Sequence, residues 1–317
     1  FKTSNLIAND LAYFYDDNPF IVQKLDKVIK FFKLAADRGD TIAALDLAWN
    51  YYEFEQIRNI ELAEYYSNIA IGSDDIFYRA YAHLNLGIIQ SFQNDHTKQK
   101  LALSSYLSAL ELFEKGEYST EVPYLRLLEM FYTGINRTEQ DIEAVKYYFD
   151  RAKEKGLDLP LWEFLLDTFG DKIPKNDWEI ENYFIYAALN GYSDAFYVLG
   201  KSYDQYKEKM TFNPELGNSY KWFYVCSVIC SDSSAVSGSE NIKAAILDQI
   251  PSLKIIDYEY EGRLWIDTIW SNKEKEIKKI ELALNLNNSS NNTQNYAFLI
   301  GNNDYKNLSA LKNPIMI

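Results

Sequence analysis

Apolar residues recur along most of this chain at spacings of three and four, the period of an amphipathic helix. In the segment 195–203, Ala195, Leu199 and Tyr203 lie four apart and share one helix face, with the small Gly200 beside the leucine. The same order of small residue, leucine, small residue and aromatic appears at Ala43, Leu47, Ala48 and Tyr51. It recurs more loosely at Ile7, Leu11, Ala12 and Tyr15. Ala82, Leu86 and Gly87 keep the first three positions, and Tyr124, Leu128 and Tyr132 keep the leucine and the aromatic. The stretch from Leu161 to Phe169 is the weakest copy.

A second pattern alternates with the first. Phe31 and Phe32, then Ala35 and Ala36, then Gly39 are matched by Tyr183 and Phe184, Ala187 and Ala188, and Gly191. Tyr148, Phe149, Ala152 and Gly156 form a third copy, and Ser105, Tyr106, Ala109 and Leu110 a partial one. Tyr65, Tyr66, Ala70 and Gly72 fit after a one-residue deletion; Trp222, Phe223, Cys226 and Cys230 are the last copy. Small residues let two helices approach closely, aromatics fill the space between stacked pairs, and the glycine falls where a left-handed cap ends a helix. One helix pair cannot bury its apolar faces alone, so neighbours must stack. The fold class expected is all-α: an α-solenoid of antiparallel helix pairs.

This alternation resembles the Sel1-like repeat family, a relative of the tetratricopeptide repeats, over roughly residues 5 to 235. The resemblance implies a module that scaffolds complexes or senses a partner, with a protein or peptide as ligand. It implies no residue-level site, because the repeat residues are structural. Some of the aromatics are expected to anchor a partner rather than fill the core, but the pattern does not separate the two groups.

Composition fits this picture. The chain has 317 residues, with 26 Tyr, 18 Phe and 6 Trp but only 13 Gly and 7 Pro, which favours long packed helices over a turn-rich β fold. A formal net charge of −14 repels phosphates, so no nucleic-acid partner is expected. No apolar run is long enough to span a bilayer, so no membrane partner is expected either. With two cysteines there is no disulfide framework, and a cytoplasmic location is read from that. Cys226 and Cys230 fall in the repeat's alanine and glycine slots and read as small buried thiols.

No catalytic, cofactor-binding or metal-binding residue is predicted. His83 sits on a repeat helix and His96 in a polar turn, neither with a serine or cysteine placed to pair with it. The acidic doublets Asp16–Asp17 and Asp74–Asp75 sit at helix ends, where carboxylates cap.

Beyond the repeats, residues 236–284 are read as C-terminal helices capping the solenoid of residues 1–235. The Lys/Glu run from Lys273 to Glu281 reads as a solvated helix face with local ion pairs. The Asn/Ser-rich stretch 285–295 reads as a linker. Residues 296–317 differ: a short apolar run, then Gly301 and polar turn residues, the pattern of a buried strand and its loop. Ile300, Gly301, Asn302, Tyr305, Leu311 and Asn313 resemble the first-strand motif that opens the bacterial caspase-like, clan CD cysteine peptidase domain. That family supplies its His general base and Cys nucleophile well downstream of this strand, so proteolysis is implied for the family and not for this chain. The ending Ile315-Met316-Ile317 is read as the mark of a frameshift or truncation in such a gene. The function expected is therefore an interaction or sensor solenoid regulating a truncated caspase-like peptidase; the alternative is a free-standing Sel1-like scaffold.

Overall fold

The computed structural model describes residues 25–53, 57–91, 93, 96–135, 138–203, 214–231, 235–240, 243, 252–284 and 286. Among these there are helices and turns and no strand. The chain divides into two compact units, Phe1–Leu159 and Pro160–Ile317, with the division inside the predicted repeat region. The first unit contains α1 (Leu25–Ala36), α2 (Thr41–Glu53), α3 (Ile60–Ala70), α4 (Ile76–Ser91), α5 (His96–Lys115), α6 (Val122–Thr133) and α7 (Ile142–Glu154). The second contains α8 (Pro160–Phe169), α9 (Asp177–Leu189), α10 (Ala195–Tyr203), α11 (Pro214–Ile229), α12 (Ser252–Thr268) and α13 (Lys273–Ala283). Each unit is an all-α run of helix pairs, the solenoid arrangement the periodicity predicts. The helix predicted around Ile7–Tyr15 and the strand-like motif at 296–317 lie outside the described residues.

Short polar side chains start many of the helices. Asp40 Oδ1 accepts from the Ile42 and Ala43 N–H groups, Asn59 Oδ1 from Leu62, Asp75 Oδ1 from Phe77, Asp141 Oδ1 from Glu143 and Ala144, and Asn176 Oδ1 from Glu179. Each satisfies backbone donors that the first turn leaves open. Asp75 thus plays the capping role expected of its doublet.

Burial follows the predicted repeat register except in α3, where Ser67 and not Tyr66 takes the place of Phe32, so that copy is shifted by one residue and needs no deletion. In the second helix of each pair, one residue from each of three successive turns faces inward: Val28, Phe32 and Ala35 in α1; Ala63, Ser67 and Ala70 in α3; Ala102, Tyr106 and Ala109 in α5; Val145, Phe149 and Ala152 in α7. The second unit repeats this with Ile180, Phe184 and Ala187 in α9 and Ser219, Phe223 and Cys226 in α11. The small residues of the first helices face these central side chains. A Cβ on Gly87 would lie 2.8 Å from the Tyr106 ring, and one on Gly200 2.8 Å from the Phe223 ring, so neither position accepts a side chain without displacing a buried aromatic.

A stacked aromatic pair closes most of these hairpins. Tyr66 stacks on Tyr51 (6.0 Å), Tyr148 on Phe131 (5.8 Å), Tyr183 on Phe169 (3.8 Å) and Trp222 on Phe196 (5.7 Å), all within 15° of parallel. Each stack joins the two helices of one pair and uses the same position of the second helix. The α4–α5 pair departs from this: Gln90 holds the slot of Tyr51 and Ser105 the slot of Tyr66, and the Ser105 hydroxyl donates to Gln90 Oε1 at 2.8 Å. This buried polar pair satisfies itself where the other hairpins place rings.

The helix α5 is also one turn longer than the register requires. The position that holds Gly39, Gly156 and Gly191 in other repeats is here the buried Phe113, and the helix closes instead at Glu117, the one non-glycine residue with positive φ (59°) among the described residues. Gly116 lies one residue early for that task, since the closing bond runs from Tyr118 N–H to Phe113 O; its own lack of a Cβ makes room for the Tyr118 ring, which a Cβ would meet at 2.3 Å.

In the second unit, α12 packs on α11 by a reciprocal fit. Tyr258 of α12 covers Gly217 of α11, and Tyr224 of α11 covers Gly262 of α12; a Cβ at either glycine would fall inside the facing ring's contact distance. Trp265 then adds its edge to the stack, 5.2 Å from Phe196 and 5.3 Å from Trp222. The helix α13 returns to α9, where Tyr186 donates to Glu281 Oε1 at 3.0 Å. The Lys273–Glu281 run is therefore only partly the solvated face expected: Glu276 and Ile280 are buried, with Lys279 donating to Glu276 at 2.6 Å.

Two substitutions test this account. Phe169→Ala removes one ring of the tightest stack and is expected to cost about 3–5 kcal/mol in urea unfolding. Glu117→Gly relieves a left-handed backbone and is expected to add about 1 kcal/mol; no gain would mean that the turn carries no strain.

Candidate binding surface

The helices of the first unit that carry the second pattern are neighbours, and polar links cross from each to the next. The Tyr66 hydroxyl donates to Asp37 Oδ1 at 3.3 Å, joining α3 to the turn that ends α1. Lys98 pairs with Glu64, joining α5 to α3, and Gln93 Nε2 donates to the same carboxylate at 3.1 Å. Arg151 pairs with Glu114, joining α7 to α5. Glu114 also accepts from the Tyr124 hydroxyl at 2.6 Å, so one carboxylate ties together α5, α6 and α7.

Four large apolar side chains stand exposed on this surface, one from each helix: Leu34 on α1, Tyr65 on α3, Leu101 on α5 and Tyr147 on α7. Relative to the central buried residues Phe32, Ser67, Tyr106 and Phe149 they sit at +2, −2, −5 and −2, offsets that share one outward stripe of a helix. Tyr65 and Tyr147 are the most open, at 56% and 54%. Both are oriented. Tyr65 meets Tyr66 edge-on at 5.0 Å, and Tyr147 meets Tyr148 edge-on at 5.0 Å. The Arg151 guanidinium donates to the Tyr147 hydroxyl at 2.5 Å and lies 5.6 Å from its ring centre. A rigid aromatic with little rotamer freedom to lose is the kind of side chain that anchors a partner at low entropic cost.

The electrostatics favour neutral phenols. Burial, then hydrogen bonding to Glu114, pushes Tyr124 well above the ordinary tyrosine value, and burial with the neighbouring Asp37 does the same for Tyr66. In the second unit, burial raises Tyr183 to about 12, and burial with the Glu281 carboxylate raises Tyr186 to about 12.

The residues weighed for chemistry are kept apart. His83 is on α4, half-buried, its value lowered by burial and by Arg79. His96 is the first residue of α5. The buried carboxylate of Glu129, in the small-residue slot of α6, is held by Arg126 at 3.0 Å. Among the described residues no three His, Cys, Asp or Glu side chains gather as a metal site would require. No described helix is long and apolar enough to cross a membrane. Cys226 and Cys230 differ from expectation: they are joined in a disulfide rather than standing as free thiols. Their spacing allows this because Cys230 lies just past the end of α11, with Cα atoms 4.8 Å apart. The six motif residues from Ile300 to Asn313 lie outside the described residues.

Comparison with protein-family models, with curated proteins and with solved structures finds no match to this chain.

Sequence alone does not mark Tyr65 and Tyr147, although the Tyr-Tyr doublets 65–66 and 147–148 are a usable signal on the second helices, where the second ring stacks inward and the first faces out; in the doublet 51–52 of α2 the first ring is the buried one. The Glu114 junction has no such signal, since its partner Arg151 is 37 residues away.

Two outcomes follow. Glu114→Ala removes the carboxylate that Tyr124 and Arg151 share, leaving Arg151 only the Tyr147 hydroxyl, and is expected to destabilise the first unit by about 1–3 kcal/mol in chemical unfolding. Tyr183 and Tyr186 have folded values above the unfolded value of 10, so the stability they contribute is complete below pH 10 and is lost as pH rises from 10 toward about 12. The tyrosinate absorbance lost in the Tyr183→Phe, Tyr186→Phe double variant isolates these two phenols among the 26 tyrosines, and it should rise together with the loss of helical circular dichroism across that window; a rise near pH 10 with the helices intact would contradict the burial described.

Proposed function

We propose that this chain is a protein-interaction or sensor module of the Sel1-like, tetratricopeptide-related kind. With the segment that follows Asn295, it forms the regulatory N-terminal region of a bacterial caspase-family cysteine peptidase. The observation that supports an interaction role is the row Leu34, Tyr65, Leu101 and Tyr147, exposed side chains on four polar-linked helices. Consecutive stacked helices present a row of this kind to an extended protein or peptide segment better than to a small molecule. The ligand is a protein or peptide, bound in the cytoplasm, and the net charge of −14 disfavours nucleic acid. The peptidase connection is supported by Ile300, Gly301, Asn302, Tyr305, Leu311 and Asn313, and the chain itself is assigned no catalytic role.

A photo-crosslinking residue placed at Tyr65 or at Tyr147 in cells should capture the same protein or peptide from both positions. The paired substitution Tyr65→Ala with Tyr147→Ala should lower affinity for that partner by about tenfold or more, while stability falls by about 1–3 kcal/mol, the worth of two edge-on ring contacts, and the helices stay folded. Different captures at the two sites would end the shared-surface reading. The coding DNA beyond Ile317, read in all three frames, should encode a His and then a Cys at peptidase spacing. Empty frames, with partner capture unaltered by deleting residues 296–317, would leave a free-standing repeat scaffold.

A further inference from the structure

In three repeats the second helix ends in one way. Gly39, Gly156 and Gly191 take positive φ (92°, 75° and 111°), and the next residue's N–H reaches back to the alanine five positions earlier. Asp40 donates to Ala35 O, Leu157 to Ala152 O and Tyr192 to Ala187 O, each at 3.1 Å. This is the left-handed glycine cap, and it recurs at one register of α1, α7 and α9. In α11 the same two slots hold Cys226 and Cys230. Cys230 has no positive φ, and Ser231 N–H does not return to Cys226 O; it donates to Ser193 Oγ at 3.2 Å. The slots are joined by the disulfide instead.

We propose that the Cys226–Cys230 disulfide is a redox-sensitive helix cap, closing α11 covalently where α1, α7 and α9 use glycine. The inference is independent of the functional reading above. Cys226 is fully buried, its sulfur 3.9 Å from Ala235 O, and the half-buried Cys230 has its sulfur 3.1 Å from Ser193 O. The bond therefore lies where three pieces meet, the end of α11, the turn before α10 and the helical turn 235–240, and with no S–H to donate it holds them by packing alone. A small thiol such as glutathione attacks as thiolate at the sulfur of Cys230, the less buried of the two residues. Cys226 leaves as thiolate and takes up a proton. A second thiol then displaces the mixed disulfide, giving two protein thiols and one small-molecule disulfide; the oxidised small disulfide reverses both exchanges. Reduction leaves α11 with neither the covalent closure nor a glycine to replace it, so its last turn and the segment beyond it loosen.

The full chain, purified without reductant, should take up no maleimide under native conditions and two equivalents after treatment with reduced glutathione. Hydrogen exchange should be about fivefold or more faster in the reduced protein at Cys230, Ser231 and 235–240, the scale of a lost cap, while Asp40 is unchanged. The double variant Cys226→Ala with Cys230→Gly restores the slots of α1, α7 and α9, and its exchange there should be slow with or without glutathione. Labelling of both cysteines before reduction, failure of glutathione to release them, equal exchange in the two states, or fast exchange in the double variant would each overturn the proposal.

Discussion

The ring that stacks between the two helices of a pair sets the geometry that the rest of the fold inherits. A flat aromatic held within 15° of its partner fixes both the separation of the helices and their rotation about their axes. Once rotation is fixed, the next residue of the second helix must point at the first, and this is why Phe184 and Phe223 are fully buried and why Gly200 can carry no side chain. In α3 and α7 the residue before the ring then faces outward, while its counterpart in α9, Asn182, is buried and donates to the Trp178 carbonyl. The inner stack and the outer tyrosines of α3 and α7 are two results of one constraint.

Stacking within pairs leaves the problem of joining pairs to one another, and polar groups contribute there. Asp37, Glu64 and Glu114 each bridge helices about one repeat apart, at separations of 29, 34 and 37 residues. The added turn of α5 bears on this, because it carries Glu114 to where both Tyr124 and Arg151 can reach it. The cost is a left-handed Glu117. A local departure from the repeat thus supports a contact that the regular repeat would not make.

Much of the architecture was legible in the sequence, because burial at a period of three and four leaves a trace in residue type. Ala43, Leu47 and Ala48 announce their helix, and the glycines at 39, 156 and 191 announce the ends of α1, α7 and α9; Gly72 misleads, since α3 closes with a right-handed residue at Ile71. What stayed hidden has a common physical character. The swap of a ring stack for Gln90 and Ser105 looks from sequence like decay of the pattern, because the partner that makes each residue acceptable is fifteen positions away. The α11–α12 fit is hidden for the same reason: Gly217 and Gly262 have meaning only beside Tyr258 and Tyr224. The cysteines were misread because an i, i+4 pair inside a helix holds its sulfurs apart, and only the end of α11 just before Cys230 lets them meet.

The cluster of Phe196, Trp222, Trp265 and Trp270 has an optical consequence. Two indoles whose centres are 5.3 Å apart and whose planes cross at 77° are near enough for their electronic transitions to couple, and chirally so. The place where the last repeat meets the C-terminal helices therefore carries its own near-ultraviolet signature, distinct from that of the scattered tyrosines. Any loosening of that junction can be followed by light alone, with no label attached.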